Sequence, residues 1–562
     1  MGSVPVAGED LMMLFKARAL ALAFLCLSTV ATADQGEHHH GVPERLGKVD
    51  FPVSCADQVL QEFQRAVALL HSFAYADAEK GFGDVAAHDP KCAMAWWGVA
   101  MTQFHPIWAA ANPAAEPTPA EMKKGRDAAA KARRGGAPTE RENDYIAAVE
   151  AFYKDSEGLD YPMRARAFER GMERAHLRNP QDREAAIFHA LAMLGTASPA
   201  DKTYAKQKQA AEILNMVLPD APEHPGVAHY LIHSLDYPEL ANLALPAARA
   251  YSTIAPSAPH ALHMPSHIFT RLGLWGESIQ SNLASAASAR EHVTALHPGT
   301  TSFDELHALD YLEYAYLQLG QDQNAAGVVA QVAKVRQVDV PQFAAAYALA
   351  AVPARYALER RQWADAAKLT VAPGTFPWER FPYAEALTHF ARGLGAARSG
   401  SLPVAREALA RLEAIQIGRV KARDDYWAGQ VRVQQLAVAA WIAQAEGRGD
   451  EALRSMRTAS DLEDASEKHP VTPGQALPAR ELLGDLLLER NDPAHALIEY
   501  ERSLDRTPGR FGGTYGAAHA AEMAGDRAKA RTYYLKLEAL AAPADGGRPE
   551  LDSMRAFLAG KD

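Results

Sequence analysis

Four histidines form the most chemically distinctive pattern in the sequence. His229 and His233 are four residues apart, and so are His263 and His267, the second pair following the first after 34 residues. Residues four apart in a helix lie on one face, one turn from each other. Two helices of a repeated unit would therefore present two imidazole rings each in equivalent positions. Because neutral imidazole nitrogens are good ligands for transition metals, the spacing indicates a metal site.

Two alternatives to a metal site stay open, a polar groove that binds a ligand without metal and incidental clustering. The residues between the histidines of each pair (Tyr-Leu-Ile and Met-Pro-Ser) include no acid. The H-E-x-x-H motif of zinc proteases is therefore excluded. The sequence also has no nucleophile elbow, P-loop, dinucleotide-binding glycine motif or C-x-x-C motif. Catalysis would have to be metal-based.

The composition and the first residues limit the class of protein. The chain has 562 residues, a net charge of −11 and ordinary globular hydrophobicity, so a nucleic-acid partner is not expected. Lys16 and Arg18 precede an apolar run that ends in Ala-Thr-Ala at 31–33, which is typical of a secretory signal peptide. No later stretch is apolar enough to span a membrane. The mature protein is expected to be periplasmic or secreted.

Two cysteines remain after removal of the predicted signal peptide. Cys55 and Cys92 are 37 residues apart, and each lies where a helix is predicted to begin. An even number of cysteines in an exported protein favours a disulfide. Metal ligation and two free thiols are the alternatives.

A repeated pattern of small and large residues indicates paired helices. From residue 55 onward Ala, Leu, Glu and Arg dominate, and strand-like alternation is nearly absent. Gly484, Ala496, Tyr500 and Pro508 are spaced 12, 4 and 8 residues apart, and the same spacing occurs near the N-terminus. The corresponding N-terminal residues are Ala66, Ala78, Phe82 and Pro90. With its period of 34, the chain resembles the tetratricopeptide-repeat (TPR) family, and in particular an exported, bacterial-type TPR protein.

The resemblance implies an all-α fold, a right-handed α-solenoid of tetratricopeptide-like helix hairpins whose first helices line a concave groove. Proteins or peptides are the usual ligands of such a groove. The insertions near 107–138 and 195–206 are expected to be loops. The predicted organisation is a signal peptide (1–33), a flexible His-containing segment (34–54), N-terminal repeats (55–194), central His-rich repeats (207–340), C-terminal repeats (341–545) and a tail (546–562).

The repeat register enlarges the candidate metal site. With Ala244 and Ser278 as the small residues of two second helices, both histidine pairs lie on first helices and face the groove. The predicted ligands are His229, His233, His260, His263, His267, His307, Asp236 and Asp310. Nitrogen-rich ligation suits zinc or copper, with iron as a further option.

The sequence therefore predicts an exported TPR binding protein with a transition metal, a protein or a peptide in its groove. A metal-dependent enzyme, either hydrolase or oxidase, and a metal-free interaction scaffold are the alternatives.

Overall fold

A computed structural model of the chain describes residues 44–111, 116–198 and 201–560. The predicted signal peptide lies outside the described residues, and so do the histidine run at 38–40 and the last two residues. Of the predicted flexible segment 34–54, residues 45–54 form no helix, but Phe51 is fully buried and its N–H donates to Gln64 Oε1. This part of the N-terminal segment is therefore packed against the repeats.

Helices account for nearly all regular structure in these residues. Two short 3₁₀ helices (Asp57–Val59 and Trp378–Arg380) and an isolated bridge between Thr301 and Val338 are the exceptions. None of the described helices is long and apolar enough to cross a membrane. The helices are α1 Leu60–His71, α2 Tyr75–His88, α3 Ala93–Thr102, α4 Pro106–Ala111, α5 Pro119–Gly135, α6 Glu140–Tyr153, α7 Tyr161–Arg178, α8 Arg183–Leu194, α9 Ala205–Val217, α10 Pro225–Leu235, α11 Ala241–Ile254, α12 Pro259–His263, α13 Pro265–Arg271, α14 Trp275–Leu296, α15 Phe303–Gln318, α16 Asp322–Val332, α17 Phe343–Glu359, α18 Trp363–Ala366, α19 Pro382–Arg398, α20 Leu402–Lys421, α21 Asp425–Ala445, α22 Gly449–Ala465, α23 Ala479–Glu489, α24 Pro493–Arg506, α25 Phe511–Met523, α26 Arg527–Leu540 and α27 Pro549–Ala559.

Consecutive helices pack as hairpins through the small and large residues of the repeat. Gly484 and Gly516 both approach the Tyr500 ring so closely that an added Cβ would overlap it. Ala496 and Ala518 are fully buried between neighbouring helices. Each helix covers its apolar face against the next, so neighbouring hairpins share their apolar cores. The predicted all-α solenoid of TPR-like hairpins is confirmed.

The prediction that the insertion at 107–138 is a loop is wrong, because most of its described residues are helical. The side chain of Thr118 accepts a hydrogen bond from the N–H of Glu121, whose side chain in turn accepts one from the N–H of Thr118. Pro119 follows at the first helical position, and alanines fill the interior of α5. This capping box and the high helix propensity of the segment outweigh its Pro- and Gly-containing ends.

Two apolar cores meet beside the histidines. One core extends from Leu46 to Phe269 and includes α10, whereas the other begins at Trp275 and includes α15. Helices α12 and α13 lie at the junction. Pro265 has no N–H to continue the helical hydrogen bonding, so the segment divides there into two short helices instead of the single one that was predicted.

Candidate metal centre

The structure brings six of the eight predicted ligands together in two groups. His229, His233 and His260 form set A, and their ligand nitrogens lie within 4.8 Å of one another. The nitrogens of set B meet the same limit. Set B consists of His263, His267 and His307. Set A comes from α10 and α12, whereas set B comes from α12, α13 and α15.

In set B, hydrogen bonds fix where the ring protons lie. His263 Nδ1 is 2.7 Å from Asn282 Oδ1, and Asn282 uses its amino group to donate to the Ser278 carbonyl. His267 Nδ1 is 3.2 Å from Asp236 Oδ2. Both partners are acceptors, so both Nδ1 atoms carry the proton and both Nε2 atoms present lone pairs. These two Nε2 atoms face each other at 3.0 Å.

Set A has a similar arrangement built on a backbone acceptor. His229 Nδ1 donates to the carbonyl oxygen of His71 at 2.6 Å, which leaves the lone pair on Nε2. His229 Nε2 is 3.1 Å from His233 Nε2. The Nε2 atom of His260 is buried and has no hydrogen-bond partner among the described residues.

The separation of the paired nitrogens matches that of two ligands on one metal ion. Two nitrogens at about 2.0–2.1 Å from a metal, with an angle of roughly 90–109° between them, lie about 2.8–3.4 Å apart. The distances of 3.0 and 3.1 Å in the two sets fall within this range. In set B, facing lone pairs repel each other unless a cation lies between them.

Protonation of a ring, instead of a metal ion, could supply the positive charge between the facing nitrogens, but burial opposes protonation. Burial lowers the pKa of His229, His233 and His263 well below the usual value for histidine, and neighbouring imidazoles lower it further. The same causes lower the pKa of His260 and His307. The rings are therefore neutral at pH 7, the form that binds metals.

The two sets are neighbours. The ring centres of His233 and His267 are 6.1 Å apart, and the same distance separates those of His260 and His263. Two ions held in sets A and B would therefore share one environment.

The two predicted aspartate ligands, Asp236 and Asp310, differ in which residues they contact. Asp236 contacts Nδ1 of His267 and is also paired with Arg271 and Lys468. Although burial raises its pKa, Lys468 and Arg271 hold the Asp236 carboxyl below its usual range. Asp310 lies outside both sets, and its Oδ1 atom is 2.8 Å from Arg355 Nη1. In this structure Asp236 orients the His267 ring, and Asp310 belongs to a separate ion pair.

A pocket adjoins both sets. It is partly open to solvent, and its wall includes His233 and His260 of set A and His267 and His307 of set B. Trp108, Phe303 and Phe343 supply aromatic surface, and Asp304, Gln342 and His469 supply polar groups. Sequence reasoning missed Asp304, Asn282 and His469, because none of them belongs to a repeated spacing.

Two other groups of potential ligands have internal partners. Cys55 and Cys92 form a disulfide, as predicted. His71 and His224 each place Nε2 within 2.9 Å of a different oxygen of Glu184, and Tyr230 is hydrogen-bonded to His71 Nδ1. Burial alone would raise the pKa of Glu184, but His224 and His71 hold it well below its usual range.

No protein-family model and no curated protein matches the sequence. Solved structures with similar architecture include a tetratricopeptide repeat protein from Parabacteroides merdae, at 12% identity and a TM-score of 0.28, covering 54% of this chain and all of that one. The APC/C hetero-tetramer Cut9–Hcn1 matches at 12% identity with a TM-score of 0.31, and the match covers 88% of this chain and 89% of that one. Yeast Tom70 matches at 12% identity with a TM-score of 0.27, and the match covers 89% of this chain and 95% of that one.

The hairpin packing thus defines the chain as a TPR-like helical-repeat protein. At these identities and TM-scores, no ligand or partner of the similar proteins is transferred to it.

Proposed function

We propose that this protein is a metalloenzyme that holds two transition-metal ions, one in set A and one in set B. The observation that carries the proposal is the pair of Nε2 lone pairs facing each other at 3.0 Å in set B. Asn282 and Asp236 hold the two rings in the tautomer that a metal requires. Such outer hydrogen bonds are typical of metal-ligating histidines.

The number of ligands supports catalysis over a purely structural role. Structural zinc sites use four protein ligands, whereas catalytic sites use three and leave a position for water or substrate. Each set here offers three histidines, and two members of each set line the adjoining pocket. A small molecule in that pocket would reach the open positions.

The ligand atoms favour copper or zinc. Six imidazoles without a carboxylate differ from the two-histidine, one-carboxylate sites of non-haem iron and from the oxygen-rich sites of magnesium. Copper would support an oxidase, and zinc would support a hydrolase through a metal-bound water.

Export is part of the proposal. The signal-like residues 1–33 motivate it, and the Cys55–Cys92 disulfide supports it because disulfides persist in oxidising compartments. A periplasmic or secreted location would also give the centre access to metal ions outside the cytoplasm.

Elemental analysis of protein purified without a polyhistidine tag tests the proposal. About two ions of copper or zinc per chain are expected after loading and dialysis. The double variant His263→Ala/His267→Ala should lose one ion, and so should His229→Ala/His233→Ala. Metal below ~0.1 ion per chain, with no uptake on titration, would reject the proposal and leave the metal-free scaffold.

Two controls keep the stoichiometry interpretable. Replacing His38, His39 and His40 by alanine removes the N-terminal histidine run and should leave the two ions in place. The variant His389→Ala, in a half-buried histidine paired with Glu385, should also leave them in place.

A further inference from the structure

The pocket beside the two sets contains a buried donor that metal binding does not use. His469 lies between α22 and α23, is 2% exposed and lines the pocket together with Pro470 and Val471. Its Nε2 atom is buried and has no hydrogen-bond partner among the described residues. A buried polar group without a partner is costly, so a ligand that pairs with it gains affinity.

The tautomer of His469 follows from its other nitrogen. The N–H of Val471 donates to Nδ1 at 3.1 Å, so Nδ1 carries the lone pair and Nε2 carries the proton of a neutral ring. Burial and the neighbouring charge of Lys468 lower the pKa of His469 to about 3. Nε2 is therefore a neutral N–H donor across the physiological pH range.

The donor is also held in a fixed orientation. The His469 ring stacks on Trp427 with ring centres 5.5 Å apart, and Phe343 packs against it at 4.6 Å. The adjacent Lys468 is bound to Asp236 at 2.8 Å. Because the segment is anchored on both sides, a ligand would meet a preorganised donor.

The remaining wall defines the chemistry of the ligand. Trp108, Phe303 and Phe343 offer aromatic surface, and Asp304 and Gln342 offer hydrogen-bond acceptors. No lysine or arginine lines this pocket within the described residues, so an anion would find no counter-charge. A hydroxyl group suits both kinds of polar wall, since its oxygen accepts one hydrogen bond and its proton donates another.

We propose that this pocket binds a small, neutral aromatic molecule with a hydroxyl group, whose oxygen accepts a hydrogen bond from His469 Nε2. The inference rests on the proposed function in that it names a substrate class for the same site. The pocket's own hydrogen-bond chemistry does not require the metal, so the two can be tested separately.

Calorimetric titration with phenol, toluene and benzoate tests the inference on the full chain, both metal-stripped and metal-loaded. Phenol should bind the metal-stripped protein at least about tenfold more tightly than toluene, which has the ring without the hydroxyl. Benzoate should bind more weakly than phenol because its charge has no partner. Equal affinities for phenol and toluene would overturn the inference.

A variant assigns the effect to His469. His469→Phe keeps a ring of similar size and removes the donor, so it should weaken phenol binding about tenfold and leave toluene binding unchanged. His389→Phe is the matched control and should change neither. Unchanged phenol affinity in a folded His469→Phe protein would also overturn the inference, and if this variant does not fold, the phenol-to-toluene ratio of the natural chain decides.

The two proposals fail in different ways. Phenol-selective binding without any metal uptake would reject the metal centre and retain the pocket. Two bound ions without selectivity for phenol would retain the centre and reject this ligand class.

Discussion

Two histidine clusters lie side by side in this protein and differ in whether they contain an acid. In the cluster of His71, His224 and Glu184, one carboxylate accepts a hydrogen bond from each ring. Sets A and B contain six rings and no carboxylate. The clusters are directly linked, because the carbonyl oxygen of His71 accepts a hydrogen bond from His229 Nδ1.

The difference shows that ligand spacing alone does not define a metal site. All three groups satisfy the same distance limit of 4.8 Å. In the Glu184 cluster each nitrogen that faces the carboxylate joins a donor to an acceptor, so these pairs need no ion between them. In set B, the Nε2 acceptors of His263 and His267 face each other, an arrangement that a cation between them would complete.

Acid should reveal this difference most strongly in metal-stripped protein. Histidine in the unfolded chain has a pKa near 6.5, whereas burial lowers the pKa of five members of sets A and B well below that value. Below pH 6.5 the unfolded state therefore binds more protons, and stability falls as pH decreases. Each group contributes up to ~1.4 kcal/mol per pH unit, so urea unfolding should show a loss of stability that grows steadily from pH 6.5 to 5.

The control for acid sensitivity is His229→Gln/His233→Gln, which removes two of these five titrating groups. This variant should lose less stability than the natural chain over the same pH interval. Parallel pH profiles for the two proteins would contradict the assignment of the loss to these rings.

Removing the acid of the first cluster should have the next largest effect. Glu184→Ala leaves the ring protons of His71 and His224 buried without their acceptor, and should lower the free energy of unfolding by about 3–5 kcal/mol in denaturant titrations. Metal uptake by the folded variant should stay at the natural level. Loss of an ion from Glu184→Ala would show that this cluster is itself a metal site.

The sequence predicted where the six histidines of sets A and B lie, but it did not predict the groups that surround them. The 34-residue register brought six histidines to one location, because a repeat scaffold fixes which face a residue occupies. Their outer partners come from distant segments: the acceptor on His71 is 158 residues from His229, and Lys468 is 232 residues from Asp236. Asn282 and His469 have no spacing that marks them. Local pattern thus predicts which helix faces carry the histidines, whereas long-range packing determines the tautomers of the rings and the chemistry of the pocket.

Set B should depend on a side chain for its tautomer, whereas set A depends on a backbone carbonyl. Asn282→Ala removes the acceptor of His263 Nδ1 and should weaken metal binding at set B about 10- to 100-fold. Competition titration with a chromophoric chelator would resolve the two affinities. Set A should keep its affinity, and Asn282→Asp, which retains an acceptor, should recover most of the loss. Equal weakening of both sites would contradict the separation of the sets.

Asp304 sharpens the contrast between a carboxylate with histidine donors and one without. In the described part of the chain no histidine ring donates to Asp304, and burial together with Asp339 and Asp77 raises its pKa to about 7. Asp77 also lies 3.4 Å from His292 Nε2. An aspartate in the unfolded chain has a pKa near 3.9, so the folded state binds more protons than the unfolded state between pH 3.9 and pH 7. The free-energy cost of ionising Asp304 in the folded protein is therefore complete only above pH 7.

Asp304→Asn should therefore stabilise the protein at pH 8 by about 1–2 kcal/mol, a value reduced from the full shift because the side chain is partly exposed. The gain should shrink as pH decreases and vanish near pH 4, which paired urea titrations of the variant and the natural chain would measure. Glu184→Gln should do the opposite at pH 8, because two ring protons hold the Glu184 pKa low and stabilise its charge. If both amides change stability in the same direction at pH 8, the neighbouring histidines do not determine how these two acids ionise.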